Sequence, residues 1–324
     1  SRPEPNPLEE ITARAAEATL HDPATAWFAQ ALRLDRHEME RPEWTEESAW
    51  PSFQGSLLHR ILERSVARFR KETDEGLGSR WVPVPDAAAW EASLAEALAE
   101  SEAELHRAFR AARREPPRWW GSEWRRLDTH VRHLARKCRQ QLPDTFTHIA
   151  VEIPLTPPLP GPDDLLPPLL WKGKADLVAL DAPTPEEAAR AVVVDFKTGN
   201  GARDFDPAAT LKDGSYFQLV VYAALLRATW PHLRETSALV LHRGAGEPVP
   251  PLAVDPADPA FAPLWAVLRE AWIEGRWGQF LALRDRFART STVPMATLDI
   301  PQKTLAAKWA RTPGLDVWTR DGIA

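Results

Sequence analysis

The chain has 324 residues with 40 Lys+Arg against 46 Asp+Glu, a net charge of −6, and 44% apolar residues, enough for one large or two small packed domains. Only 15 glycines and a single cysteine, Cys138, exclude collagen-like and disulfide-stapled classes. No apolar run reaches the roughly 18 to 20 residues that span a bilayer, and Ser1-Arg2-Pro3-Glu4-Pro5 lacks a secretory apolar core, so the expected location is the cytoplasm, with no membrane partner.

In chain order, residues 8–34 carry helical periodicity through Leu8, Ile11 and Ala15, then Trp27, Phe28, Ala31 and Leu32, with a new helix start expected at Pro23. Residues 36–54 contain Pro42 and Pro51 and predict a loop. Residues 55–71 predict an amphipathic helix with Leu58, Ile61, Leu62, Val66 and Phe69 on one side. The Ala-rich stretch 86–114 has acids early and arginines late, the order a helix dipole favours, and 118–140 predicts a further helix. Residues 1–145 therefore form a mostly helical part.

The texture then changes. Residues 146–153 and 169–180 predict strands around a Pro-rich loop, and 191–196 is short and apolar like a buried central strand. A polar loop over 199–213 leads to an apolar helix over 215–230 and a strand over 237–242. A helix over 261–287 follows, with Trp265, Leu268, Trp272 and Trp277 on its buried side. Residues 146–290 make a second part and 291–324 a tail. The fold class is α/β, a mixed sheet flanked by helices.

The chemistry-bearing pattern is two acidic strands followed by a lysine. Gly173-Lys174-Ala175-Asp176 puts Asp176 on one strand, and Asp195-Phe196-Lys197-Thr198-Gly199 puts Asp195 and Lys197 at the end of the next. Strand side chains alternate, so Asp195 and Lys197 share a face while Phe196 turns into the core. If the strands pair as neighbours, Asp176 and Asp195 converge, and two carboxylates are hard ligands suited to Mg²⁺. Gly173, Thr198 and Gly199 are small enough for a close approach to phosphate or a sharp turn. Taken alone, an Asp-x-Lys at a strand end is also what a solvated turn looks like.

These segments, with Gln218-Leu219-Val220-Val221-Tyr222 downstream and Gly55-Ser56-Leu57-Leu58-His59 upstream, resemble the PD-(D/E)xK nuclease core of the RecB type. In that family G-x-x-x-H, G-x-x-D, D-[YF]-K-T-G and Q-x-x-x-Y follow in order. Trp27-Phe28 and Leu32-Arg33-Leu34 are similar to the opening segment of AddB-like helicase–nuclease subunits. The resemblance runs from about residue 8 to 290. It implies a metal-dependent deoxyribonuclease, exonuclease in preference to endonuclease, acting on single-stranded or unwound DNA beside a helicase outside this chain, in double-strand break repair.

Residue by residue, the resemblance implies that His59, Asp176, Asp195 and the Phe196 carbonyl hold Mg²⁺ or Mn²⁺, and that Lys197 positions the attacking water. Glu152 is either an acid that holds a metal-bound water or a strand-end surface carboxylate. Gly173, Lys174, Thr198, Gln218 and Tyr222 would meet DNA. Gln218 and Tyr222, four apart on one helix face, could equally brace the lysine loop, and Tyr222 could simply pack the core.

The chain departs from the family in two ways. Ala175 and Leu177 flank Asp176 where the family often has Ile and Arg. The four cysteines that hold an iron–sulfur cluster in many AddB-type nucleases are missing, so no such cluster is expected. The Trp-rich helix around Trp265–Trp277 is then the candidate for pinning the N-terminal helices to the C-terminal segment. Elsewhere, His130 and His133 suit a surface helix, and Trp119-Trp120 among Arg113, Arg114, Arg118, Arg125 and Arg126 suits either a single-strand platform or a solvated helix end. No phosphate-loop motif of a nucleotide-driven motor occurs. The rivals are an inactive DNA-binding or scaffolding module of the same fold and a stand-alone Cas4-like exonuclease.

Overall fold

Ala191-Val192-Val193-Val194 has no polar face, so as a strand it needs apolar cover on both sides. A computed structural model of the chain provides that cover; it describes residues 9–21, 26, 50–70, 72–73, 76–77, 80–161, 164–197, 214, 216–242 and 250–275. The elements are β1 (Glu10–Thr12), α1 (Ala13–His21), α2 (Trp50–Ala67), β2 (Glu72–Thr73), β3 (Gly76–Leu77), β4 (Val82–Pro83), α3 (Ala87–Ala111) and α4 (Trp120–Gln141). They continue with β5 (His148–Leu155), β6 (Leu170–Leu180), β7 (Arg190–Lys197), α5 (Phe217–Thr229), β8 (Glu235–His242), β9 (Leu252–Ala253) and α6 (Ala262–Trp272).

The main sheet runs β4-β5-β6-β7-β8-β9, with β1 joined to β6. Neighbours are antiparallel except β7–β8, whose parallel pairing follows from the α5 crossover between them, and β1–β6. Along β7, Ala191 and Val193 face a core built with α1, α5 and α6, while Val192, Val194 and Phe196 face one built with α2, α3 and α4. This is the expected α/β class, a mixed sheet between two helical layers.

Several boundaries differ from the sequence expectation. Residues 10–12 were expected in a helix, but they form β1, parallel to Leu170–Lys172, and the helix starts only where Thr12 Oγ1 accepts the Ala15 N–H at 3.0 Å. The expected loop 36–54 is helical from Trp50, since Pro51 in a first turn forfeits no hydrogen bond. β5 runs through Pro154, opposite Lys174, where the ladder is near its end. Asp86 caps α3 by accepting the Ala89 N–H at 2.8 Å. The Trp-rich helix is described as far as Trp272, with Trp265, Leu268 and Trp272 buried. Trp27, Phe28, Leu32–Leu34, Thr198, Gly199, Trp277 and the tail lie outside the described residues.

The site is positioned by a fork in the sheet. β5 covers one edge of β6 from Gly173 to Leu180. On the other edge β7 pairs only with Leu177–Leu180, and β1 pairs with Leu170–Lys172. Between them, at Asp176, β6 and β7 part, and the Phe196 N–H is donated to Asp176 Oδ2 at 2.9 Å in place of a ladder bond.

Candidate metal centre

Carrying the two registers one step into the fork sets Glu152 opposite Asp176 and Asp176 opposite Asp195, one acid on each of three adjacent strands. Strict alternation would not bring Glu152 and Asp176 to α2. In β5, Ile149 and Val151 face the α2 side but Ile153 and Leu155 face the α5 side; in β6, Leu177 and Ala179 face α2 but Trp171 and Ala175 face α5. Both strands therefore roll over at the same step, which keeps the register intact. On β5 the pivot is Glu152 itself, at φ 53°, a left-handed conformation that is rare for a side-chain-bearing residue and costs about 1–3 kcal/mol.

The roll turns both carboxylates toward His59 on α2. His59 Nδ1 lies 3.3 Å from Glu152 Oε1 and 3.3 Å from Asp176 Oδ1. His59, Glu152 and Asp176 each offer a ligand atom, and all three atoms lie within 4.8 Å of one another. Burial opposes charge on His59, but its hydrogen bonds to Asp176 and Glu152 outweigh this, and the imidazole pKa is pushed up to about 10. Burial likewise opposes charge on Glu152, yet His59 and Lys174 hold its carboxyl below the usual range. Two oxygens and one imidazole nitrogen form a donor set that fits a divalent cation such as Mg²⁺ or Mn²⁺.

Asp195 belongs to a second arm of the fork, whose partners are Lys197 on β7 and Gln218 on α5. Its side chain is only 4% exposed, with Lys197 Nζ 2.9 Å from Oδ2, and Oδ1 accepts the Gln218 side-chain N–H at 2.9 Å. Burial, with help from Asp176 and Glu17 and against Lys197, pushes its carboxyl up to about 6. Lys197 also loses solvent, but Asp195, Glu17 and Asp176 keep it charged, and its ammonium sits 5.2 Å from the Tyr216 ring centre. Asp195 and Lys197 thus share a face, with Phe196 buried on the other. Asp195 is not in the group of three with His59; Glu152 is.

The remaining candidates are held by the protein itself. Tyr222 donates its hydroxyl to the Lys174 carbonyl at 2.9 Å, and Gln218, one turn earlier, holds Asp195, so both brace the forked strands. A Cβ on Gly173 would stand 2.7 Å from Leu225 Cδ1 and 3.2 Å from Tyr222 Cε1, so a larger residue on β6 would have to displace side chains of α5, and packing alone favours a glycine here. Lys174 is 61% exposed and pairs with Glu152 Oε2. Of the two rings proposed as a stacking platform, Trp120 is buried with Trp50 and Phe109 in the α2–α4 core, which takes it away from a ligand, and Trp119 is half-buried against that core. Cys138 is buried, and loss of solvent pushes its thiol up to about 12.

Sequence reasoning missed Glu17. It lies on α1, where Oε2 accepts the Gln218 backbone N–H at 3.1 Å, and its charge acts on Asp195, Lys197 and Tyr222. No local signal marks it, because 201 residues separate it from its partner.

A mixed sheet that forks at its acids, with a lysine on the adjoining strand and a metal-binding donor set from strands and helix, defines a metal-dependent nuclease architecture. The family model of the PD-(D/E)XK nuclease superfamily matches residues 11–279, and the chain belongs to that superfamily. Membership implies metal-dependent nuclease activity on DNA, with divalent ions as the cofactor type. A search of curated proteins finds no significant match. Among the described residues no helix is long and apolar enough to cross a membrane.

Proposed function

We propose that this chain is a Mg²⁺- or Mn²⁺-dependent deoxyribonuclease of the RecB type, similar to the nuclease modules of AddB-like subunits. Its substrate is single-stranded DNA or an unwound duplex end delivered by a helicase outside the chain, and exonuclease action is favoured over endonuclease. The observation that carries the proposal is the convergence of His59, Glu152 and Asp176 at the fork, with Lys197 on the adjoining strand.

In this proposal His59, Glu152 and Asp176 hold the cation, and Asp195 and the Phe196 carbonyl complete its surroundings. A bound divalent cation supplies an activated water and neutralises phosphate charge. Lys197 places a permanent positive charge beside the scissile phosphate, with Asp195 and Gln218 fixing its reach. Lys174, released from Glu152, and Thr198 contact the DNA backbone, while Gly173, Gln218 and Tyr222 keep β6 and β7 in place beneath it.

The test is cleavage of single-stranded DNA by the purified chain with Mg²⁺ or Mn²⁺, stopped by EDTA. Lys197→Ala is expected to abolish cleavage while leaving the melting temperature and Mn²⁺ binding largely unchanged. DNA binding without cleavage by the wild type overturns the enzyme and leaves a scaffolding module; unchanged cleavage by Lys197→Ala overturns the role of the lysine.

A further inference from the structure

The first four backbone N–H groups of a helix such as α5 lie beyond its regular i−4 ladder and need partners from elsewhere. Its N-cap residue is Tyr216, left-handed at φ 55° and with no side-chain capping bond. The Phe217 and Leu219 N–H groups go to the carbonyls of Gly214 and Tyr216. The Gln218 N–H instead goes to Glu17 Oε2 at 3.1 Å, across to α1. A carboxylate is the favoured group at this end of a helix, because it meets both the unpaired donors and the positive end of the dipole.

The residue capped in this way holds the second arm of the site. The Gln218 side chain donates to Asp195 Oδ1 at 2.9 Å, and Asp195 Oδ2 lies 2.9 Å from Lys197 Nζ. One chain of contacts therefore runs from Glu17 on α1, through the α5 backbone at Gln218, to Asp195 and Lys197 on β7. α1 can act as a fixed support because its far side is also held: Trp272 Nε1 of α6 donates to Thr19 Oγ1 at 3.1 Å.

We propose that Glu17 is a positioning residue for the Asp195–Lys197 arm, acting through the Gln218 backbone N–H and so through the Gln218 side chain. This rests on the nuclease proposal for its kinetic consequence but not for its structural one. Glu17 acts as a hydrogen-bond acceptor, so a glutamine there keeps the function and an alanine loses it. Supporting residues one step removed from reacting groups typically change activity by about 10- to 100-fold.

The experiment uses the full 324-residue chain. Glu17→Ala, Glu17→Gln, Gln218→Ala and the double variant Glu17→Ala/Gln218→Ala are compared. Single-turnover cleavage of single-stranded DNA with Mn²⁺ is expected to slow about 10- to 100-fold in Glu17→Ala, with Mn²⁺ affinity unchanged, and to stay within about threefold of wild type in Glu17→Gln. In the Gln218→Ala background, Glu17→Ala is expected to add almost nothing, since contacts acting in series are non-additive. A cap that is merely structural would lower the melting temperature in both backgrounds and slow cleavage equally in both, which overturns the proposal.

A second readout needs no activity: the side-chain amide resonance of Gln218 in glutamine-labelled protein, assigned by its loss in Gln218→Ala. It is expected to shift in Glu17→Ala and hold its place in Glu17→Gln. An unmoved resonance in Glu17→Ala overturns the positioning role. If Glu17→Ala does not fold, Glu17→Gln decides alone, because a shifted resonance or a tenfold slowing there overturns the acceptor role. A wild type that never cleaves DNA but shows the expected shifts sinks the nuclease proposal and leaves the positioning role standing.

Discussion

His59 at neutral pH carries a proton that an incoming cation has to displace. Its pKa in the folded chain, about 10, lies above the ordinary 6.5 because Asp176 and Glu152 favour the imidazolium more than burial disfavours it. A raised pKa stabilises the fold fully below about 6.5, and that contribution disappears as pH climbs through about 10. A metal needs the neutral ring, so binding and protonation compete for the same nitrogen. Calorimetry near pH 7.5 in buffers of different ionisation enthalpy is expected to show about one proton released per Mn²⁺, with affinity rising with pH. A proton count near zero would exclude His59 Nδ1 as the displaced group. His59→Ala should remove the release together with most of the affinity.

At the scale of elements, the fork depends on β6 lying flat beneath α5. Gly173→Ala pushes a methyl into Leu225 and Tyr222, both buried, and overpacking of this kind costs about 1–3 kcal/mol. Urea unfolding should show that loss, and a stability equal to wild type would mean that α5 can rise off β6. Most elements were legible in the sequence because their patterns are long: the Ala-rich α3, the valine run of β7, and the shared face of Asp195 and Lys197 all follow from local periodicity. β1 was not, since a three-residue strand leaves no period to read and Ile11 is buried in either structure. The roll at Glu152 was not legible either. It sets a left-handed residue inside a strand, against local preference, and it decides that Glu152 joins His59 and Asp176. Glu17 was hidden for a different reason: its partner is fixed by how α1 packs on α5, and no short-range pattern encodes that.

Across the whole molecule, the acidic balance and the single cysteine take on structural meaning. A net charge of −6 coexists with a lysine-marked site: three of the eight lysines, Lys172, Lys174 and Lys197, lie on β6 and β7, two of them paired with acids of the fork. With Cys138 alone in the sequence and buried in α4, four cysteines cannot staple the N-terminal segment to the C-terminal one. The Trp-bearing α6 makes that connection instead, through Trp272 and Thr19 of α1. Trp265 of α6 sits 4.9 Å from Phe217 and 6.5 Å from Trp171, ring centre to ring centre, and Trp272 reaches Thr19 across 253 residues of sequence. Thr19 and Trp272 are both buried, so removing the acceptor strands an indole N–H away from water, at about 1–3 kcal/mol. Thr19→Val keeps the shape of the side chain and is expected to lower the unfolding free energy by about that amount. In a Trp272→Phe background the same change should be close to neutral, because the donor is already gone. Equal losses in both backgrounds would show that Thr19 acts only through its bond to the Ala15 carbonyl, and that α1 is held to α6 by packing alone.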